Sequence, residues 1–300
     1  MRVLNFGSVN IDYTYQVPHF VRPGETLSAS GVTKNAGGKG FNQSIALAKA
    51  GCDVYHAGHI GTDGMFLKEL LAENGVSADL LTVGETGTGN AIIQVDDSGA
   101  NCIILYGGAN QTMDADFIRD VISGFDPGDL IVLQNEINCM DEILKAAHDA
   151  GLTIALNPAP MNDRISRDAM ALADWLILNE TEAGDLTGKE DWEEQLTELE
   201  SLFPHTSFLL TLGTNGSVCL QNGAVCKMGA CKVDAVDTTA AGDTFLGYFL
   251  ACITGGKDAE TALLTATRAS AIAVTRPGAA QSVPTLEEVL SCDLQPEAFS

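Results

Sequence analysis

Short apolar runs of four to six residues alternate with longer segments of helical period through most of the chain. This is the pattern of a mostly parallel sheet with helices on both faces, so the expected class is α/β, doubly wound. The runs at 3–6, 53–57, 130–133, 153–156, 175–178 and 208–211 read as central strands. Residues 39–50 read as a helix in which Phe41, Ile45 and Ala48 share one face, and 140–150 as another. Two regions depart from the alternation. Residues 13–33 and 89–106 carry period-two patterns, the second broken by Asp96-Asp97-Ser98-Gly99, a hairpin signal. Both leave and rejoin the α/β core early in the chain, which predicts a small β-sheet lid assembled from insertions within one domain spanning 1–300.

Towards the C-terminus, 217–220 and 224–227 flank Gln221-Asn222-Gly223 as a further hairpin. Helices are then expected at 244–254 and 259–274. The first is apolar almost all round (Phe245, Leu246, Phe249, Leu250, Ile253), which predicts burial at the centre of the molecule.

A chain of 300 residues, 45% hydrophobic and 19% charged, can build one sizeable core and is neither disordered nor collagen-like. No segment approaches the roughly 20 uninterrupted apolar residues that span a bilayer, and the opening residues read as a buried strand, so the expected compartment is the cytoplasm. The net charge of −24 would repel nucleic acid and anionic membranes, so any anion the protein handles must be held locally. Residues 180–200 contribute nine carboxylates and one lysine to that charge and read as a solvated helix face. The eight cysteines include no C-x-x-C pair, which removes the usual zinc and thioredoxin signatures. Several, Cys102 and Cys252 among them, lie in apolar stretches and read as small buried hydrophobes of a reducing compartment. His56 and His59 lie in a strand-like run whose spacing puts them on opposite faces, against a metal pair.

Three constellations carry chemistry. Asp237-Thr-Thr-Ala-Ala-Gly-Asp243 runs into the buried helix, where small residues and unpaired N–H groups at a helix start make a natural phosphate site with a carboxylate beside it. Asp243 as a mere N-cap is the competing reading. Asn35-Ala-Gly-Gly-Lys-Gly-Phe-Asn42 is neither a Walker A loop nor a dinucleotide fingerprint, and is left as a tight turn presenting Lys39 and Asn42 to polyol hydroxyls, or as a structural turn only. Finally, Asn10, Asp12, Glu136, Asn157 and Asn179 to Glu182 all fall near the carboxyl ends of expected strands, the rim where doubly wound sheets bind ligands.

These residues closely resemble the ribokinase branch of the ribokinase/PfkB sugar kinase family. The resemblance runs in order through Gly7-Ser-Val-Asn-Ile-Asp12, Pro23-Gly-Glu-Thr26, Gly37-Gly-Lys-Gly-Phe-Asn-Gln43, Gly108-Ala-Asn110, Asn157-Pro-Ala-Pro160, Asn179-Glu-Thr-Glu-Ala183, Thr211-Leu-Gly213, Asp237 to Phe245 and Ala273-Val-Thr-Arg-Pro-Gly278. It implies a ribokinase-like fold and ATP-dependent phosphorylation of a sugar hydroxymethyl group, D-ribose being the favoured acceptor, with a lid that also forms a homodimer interface. Carried over by position, Asp243 resembles the general base, and Ala240, Ala241 and Gly242 the anion hole that stabilises charge on the transferring group. Asn10, Asp12, Gly38, Lys39, Asn42 and Glu136 match sugar-binding positions. Asn179 and Glu182 match the N-x-x-E motif linked to Mg2+ and phosphate through water, and Thr211 and Gly213 would border the nucleotide.

The family's monovalent-cation site, usually K+, matches Asp237, Thr239, Ala273, Gly278 and Ser282; the alternative for Asp237 is a turn stabiliser. Phe41 stands where the family often has a small residue, and Thr239 and Ala240 also vary, so Phe41 either faces the core with Ile45 or narrows the sugar pocket. Competing functions are a fructokinase, another sugar or nucleoside kinase of this fold, or a non-catalytic metabolite-binding protein.

Overall fold

The computed structural model describes residues 1–299. In chain order the elements are β1 (Val3–Phe6), β2 (Asn10–Gln16), β3 (Gly31–Gly37), α1 (Lys39–Lys49), β4 (Val54–Gly61), α2 (Met65–Glu73), β5 (Leu81–Gly84), β6 (Gly89–Val95) and β7 (Asn101–Tyr106). They continue with α3 (Ala115–Ile122), β8 (Leu130–Gln134), α4 (Met140–Asp149), β9 (Thr153–Asn157), α5 (Arg167–Met170), β10 (Trp175–Asn179), α6 (Glu180–Thr187), α7 (Trp192–Leu202) and β11 (Ser207–Thr211). The chain closes with β12 (Ser217–Gln221), β13 (Ala224–Met228), α8 (Ala241–Thr254), α9 (Ala259–Val274) and α10 (Leu286–Ser291).

Nine strands form one sheet in the order β13-β12-β11-β10-β9-β8-β1-β4-β5, parallel except for the β12–β13 hairpin edge. All six expected central strands are present. The two sides of the sheet carry separate cores: α1, α2, α8 and α9 cover one, and α3, α4, α6 and α7 the other. Strand order reverses at β1, which pairs β4 on one side and β8 on the other. Ligands of doubly wound sheets bind at such a switch point, beyond the carboxyl ends of the strands.

Two close approaches position what lies above that point. Gly40 sets the first turn of α1 on the segment after β1, where a Cβ would meet Ser8 N at 2.5 Å. Deeper in, Gly247 of α8 rests on α1, where a Cβ would fall 2.5 Å from the Cβ of Ala46. The N-termini of α1 and α8 are thereby held side by side.

The predicted small sheet has four strands in the order β3-β2-β6-β7. It is larger than the sequence pattern indicated, starting at Asn10 and not Tyr13 and running to Gly37 and not Thr33. Asn10 and Asp12 therefore lie on a small-sheet strand, paired with Gly37 and Asn35, and not on the rim of the large sheet. Asn10 and Asp12 are polar, and that polarity hid the strand's start. Helix α8 likewise begins at Ala241, three residues before the expected 244, because Ala241, Gly242 and Asp243 carry no apolar signal.

The cysteines are less buried than their surroundings implied. Cys219 and Cys231 are buried, five others are partly exposed, and Cys102 is exposed because β7 is an uncovered edge. His56 and His59 do point to opposite sides, His56 to Ser44 of α1 and His59 to Thr112. No helix among the described residues is long and apolar enough to cross a membrane.

Candidate active site

The first turn of α8 is built as an anion cradle. Its N-cap is Ala240, which adopts a left-handed conformation (φ 59°) and supplies no side-chain acceptor. A non-glycine residue in that region is strained, and such strain persists where the surroundings enforce it. Ala241 N donates to Thr238 O at 3.2 Å and Thr244 N to Ala240 O at 2.9 Å, and without a side-chain cap the N–H groups of Gly242 and Asp243 between them remain available to an oxyanion. Asp243 is thus the third residue of the helix and not its N-cap, which removes the bland reading of its carboxylate.

The Asp243 carboxylate is 8% exposed and both its oxygens are held by amides. Asn42 Nδ2 donates to Oδ2 at 3.1 Å and Gln43 Nε2 to Oδ1 at 2.9 Å. The helix that the glycine-rich segment opens carries two groups directly onto the Asp243 carboxylate. Asn42 Oδ1 is buried without a partner, an acceptor suited to a hydroxyl donor.

Lys39 stands at the start of α1, among carboxylates from three elements. Burial lowers its pKa, but the charges of Asp243, Glu136 and Glu182 outweigh burial and hold it above the ordinary lysine value. Glu136 fixes the loop below, accepting from the backbone N–H of Lys39 at 3.0 Å and from the Ser8 hydroxyl. Asn110, in the turn after β7, donates from Nδ2 to Oδ1 of Asn10 on the small sheet at 2.7 Å, while Asn110 Oδ1 accepts from Val9 N. This leaves the Asn10 amide N–H groups free to donate. Asp12 is pushed up to about 6, first by burial and then by the negative charge of Glu136. The expected sugar set thus comes together as one cluster: Asn10 and Asp12 from β2, Gly38, Lys39 and Asn42 at α1, Glu136 after β8, and Asp243.

The other expected positions fall in two groups. Thr211, Gly213, Ala241 and Gly242 line one cavity of about 490 Å³, closed on other sides by Val233, Phe245 and Val274. It adjoins the α8 cradle and is apolar enough to take a flat heterocycle. Asn179 and Glu182 form a capping box on α6, with Glu182 N donating to Asn179 Oδ1 at 2.8 Å and Asn179 N to Glu182 Oε2 at 3.0 Å. Glu182 is nonetheless no part of a solvated face: burial raises its pKa, and it interacts with the charges of Lys39 and Asp243.

Asp237 ties two loops together, Oδ1 accepting from Thr239 N and Oδ2 from Gly278 N, each at 2.9 Å. Burial acts to raise its pKa, but these hydrogen bonds, with that of the Thr239 side chain, leave it below the usual carboxylate value. Its own N–H bonds Val274 O, beside Ala273. The Ser282 hydroxyl turns onto Ala279 O. Phe41 is fully buried and packs with Ile45 in the core, so it lies outside the sugar cluster.

Four groups escaped the sequence reading: Gln43, Gln134, Asn5 and Asn110. Gln43 and Asn110 sat within recognised motifs without an assigned role. Asn5 and Gln134 sat in apolar strand runs, and only the adjacency of β1 and β8 brings them together.

Comparison with known proteins agrees with this geometry. A ribokinase of Haemophilus influenzae is 35% identical over 293 residues, covering 95% of each chain. The solved ribokinase of Cryptococcus neoformans in complex with ADP superposes with a TM-score of 0.82 at 36% identity, covering 96% of this chain and 98% of that one. That of Arabidopsis thaliana, complexed with ribose and ATP, superposes with a TM-score of 0.86 at 30% identity, covering 96% and 97%. The model of the pfkB family carbohydrate kinases matches residues 2–286, and the chain belongs to that family.

Proposed function

We propose that the protein transfers the γ-phosphoryl group of ATP to the hydroxymethyl oxygen of D-ribose, giving ribose 5-phosphate and ADP. The observation that carries this reading is the Asp243 carboxylate one turn into α8, in contact with Asn42 of the polar cluster and beside an uncapped helix start. A sugar held by Asn10, Asp12, Lys39, Asn42 and Glu136 would present a hydroxyl to Asp243, which takes its proton as the oxygen attacks. The N–H groups after Ala240 would hold the charge on the transferring group. Lys39, positive between Asp243, Glu136 and Glu182, would do the same from the opposite side. The apolar cavity beside the cradle would take the adenine of ATP. Ribose as acceptor is supported by the ribokinases that the chain resembles over nearly its whole length.

Two ions complete the reading. Glu182, with Asn179, is the carboxylate suited to orienting a hydrated Mg2+, which supplies charge neutralisation on the phosphates. Asp237 and the carbonyls of its two loops are hard oxygen donors suited to K+, which would polarise the loop leading into the cradle. Asp237 already joins those loops, which fits such a site.

The small sheet reads as a lid and dimer surface. Strand β7 is an uncovered edge with Ile103, Ile104, Leu105 and Tyr106 all exposed; Ile92 is exposed on the adjoining β6 and Val32 on β3, the opposite edge. An open apolar edge invites pairing with a second copy of the chain. The eight free cysteines and the need for ATP fit the cytoplasm.

The test is ATP-dependent ADP release, with Mg2+ and K+, across D-ribose, 2-deoxyribose, fructose, ribitol and adenosine. Strong preference for ribose is expected. Preference for another acceptor would keep the chemistry and replace the substrate, and silence across the panel would overturn the kinase reading.

A further inference from the structure

A chain of buried amides runs behind Asp243. Gln43 Nε2 donates to Asp243 Oδ1 at 2.9 Å and lies 3.5 Å from Asn157 Oδ1, while Gln43 Oε1 accepts from Gln134 Nε2 at 2.7 Å. Gln134 Nε2 also donates to Asn5 Oδ1 at 3.1 Å, and Asn5 Nδ2 donates to the backbone carbonyl of Gly40 at 3.0 Å. At the far end Asn157 Nδ2 donates to the carbonyl of Ile177 at 2.9 Å. Gln43, Gln134 and Asn5 are fully buried.

An isolated amide can turn either end towards a neighbour. These cannot, because both ends of the chain rest on backbone carbonyls, which only accept. The Gly40 carbonyl orients Asn5, whose oxygen orients Gln134, whose N–H group orients the oxygen of Gln43. The Ile177 carbonyl turns the oxygen of Asn157 towards the same Gln43 amino group. Every link therefore obliges Gln43 to present N–H, never C=O, to Asp243. Reversing it would bring a carbonyl against a carboxylate and orphan several buried groups at once.

We infer that Gln43 is a positioning residue for Asp243, and that Gln134, Asn5 and Asn157 act through it to fix the direction of its hydrogen bond. The inference rests on the proposal that Asp243 is the general base. A donor held permanently on one oxygen fixes the carboxylate rotamer. The remaining lone pairs stay directed towards the acceptor hydroxyl. Gln134 and Asn5 lie on adjacent interior strands of the large sheet, so the orientation of the base is anchored in that sheet.

The experiment measures single-turnover rates at neutral pH, sugar dissociation constants and melting temperatures for Gln43→Met, Gln134→Met, the double variant and Asp243→Asn. Methionine keeps the approximate volume of glutamine and removes the donor. In Gln43→Met the rate is expected to fall about 10-fold at neutral pH, because a lost hydrogen bond to a charged group is of that size. Sugar affinity stays within about twofold, so the loss falls on the chemical step and not on binding. Gln134→Met lowers the rate by less, again with sugar affinity kept. The double variant is no worse than Gln43→Met, since both act along one path. An unchanged single-turnover rate in folded Gln43→Met and Gln134→Met, or a rate that falls only in step with sugar affinity, with Asp243→Asn inactive, would overturn the positioning role alone. Comparable turnover in Asp243→Asn would overturn the base assignment and this inference with it.

Discussion

The two walls of the site are built on opposite terms. The wall formed by the first turns of α1 and α8 is buried, its carboxylate held by amides and its helices locked at Gly247 and Ala46. The small sheet opposite is half covered: Asn10 and Asp12 look inward from β2, while every residue of β7 is exposed. Phosphoryl transfer needs a fixed geometry, since reacting atoms must meet within a few tenths of an ångström. Sugar entry and release need a wall that can move, and elements with few buried contacts are the ones that open readily.

Substitutions on the two sides should therefore separate rate from affinity. The largest effect is expected for Asp243→Asn, with turnover falling about 10³-fold and ribose binding by calorimetry nearly unchanged. Loss of binding in step with rate would break the division between the walls. Next, Asp12→Asn should raise the ribose KM about 10-fold with kcat largely kept.

Acidity sharpens that second case. Asp12 sits at about 6 in the folded protein against 3.8 in a free carboxyl. The folded state therefore holds this proton more tightly than the unfolded chain. Its burial costs nothing below the unfolded value and costs most above about 6, where the carboxylate is charged, up to about 3 kcal/mol. The empty protein should thus lose stability as pH rises from about 4 to about 6, and Asp12→Asn should remove that loss, raising the melting temperature at pH 7. Ribose KM in the parent protein should rise as pH falls below 6, and in Asp12→Asn should be flat. A parent KM independent of pH between 5 and 7 would count against an ionised Asp12 in sugar binding.

Smaller effects test each wall from outside. Turnover should be several-fold faster in K+ than in Na+ at equal ionic strength, with ribose KM little affected; equal rates would remove the cation from the Asp237 loops. Ile104→Lys should halve the mass measured by light scattering and raise ribose KM modestly at near-constant kcat. An unchanged mass would move the dimer contact elsewhere or remove it.

The rigid wall was also the more legible one in the sequence. Apolar runs gave every central strand near the switch point, and Asp237 to Asp243 and Gly37 to Asn42 announced the two helix starts. Both are local signals, because a strand buried on two faces and a helix opening on small residues leave contiguous marks. The small sheet's hairpin was equally plain, yet its first strand was not, since Asn10 and Asp12 break the apolar half of the alternation. The amide chain left no mark at all. Residues 5, 43, 134 and 243 become neighbours only through strand order and helix packing, and no periodicity encodes that.

The contact between Gly247 and Ala46 lies four residues behind Asp243 on one helix and four behind Asn42 on the other, about 6 Å in each case at 1.5 Å per residue. A methyl inserted there would act as a wedge one turn from both groups and spread the two helix starts, misaligning them without touching either. The same shortness has a converse. Since the aim of the reaction is set beneath the pocket, residues of the overlying sheet can be exchanged without re-aiming it, which leaves one phosphoryl-transfer frame open to the evolution of different acceptors.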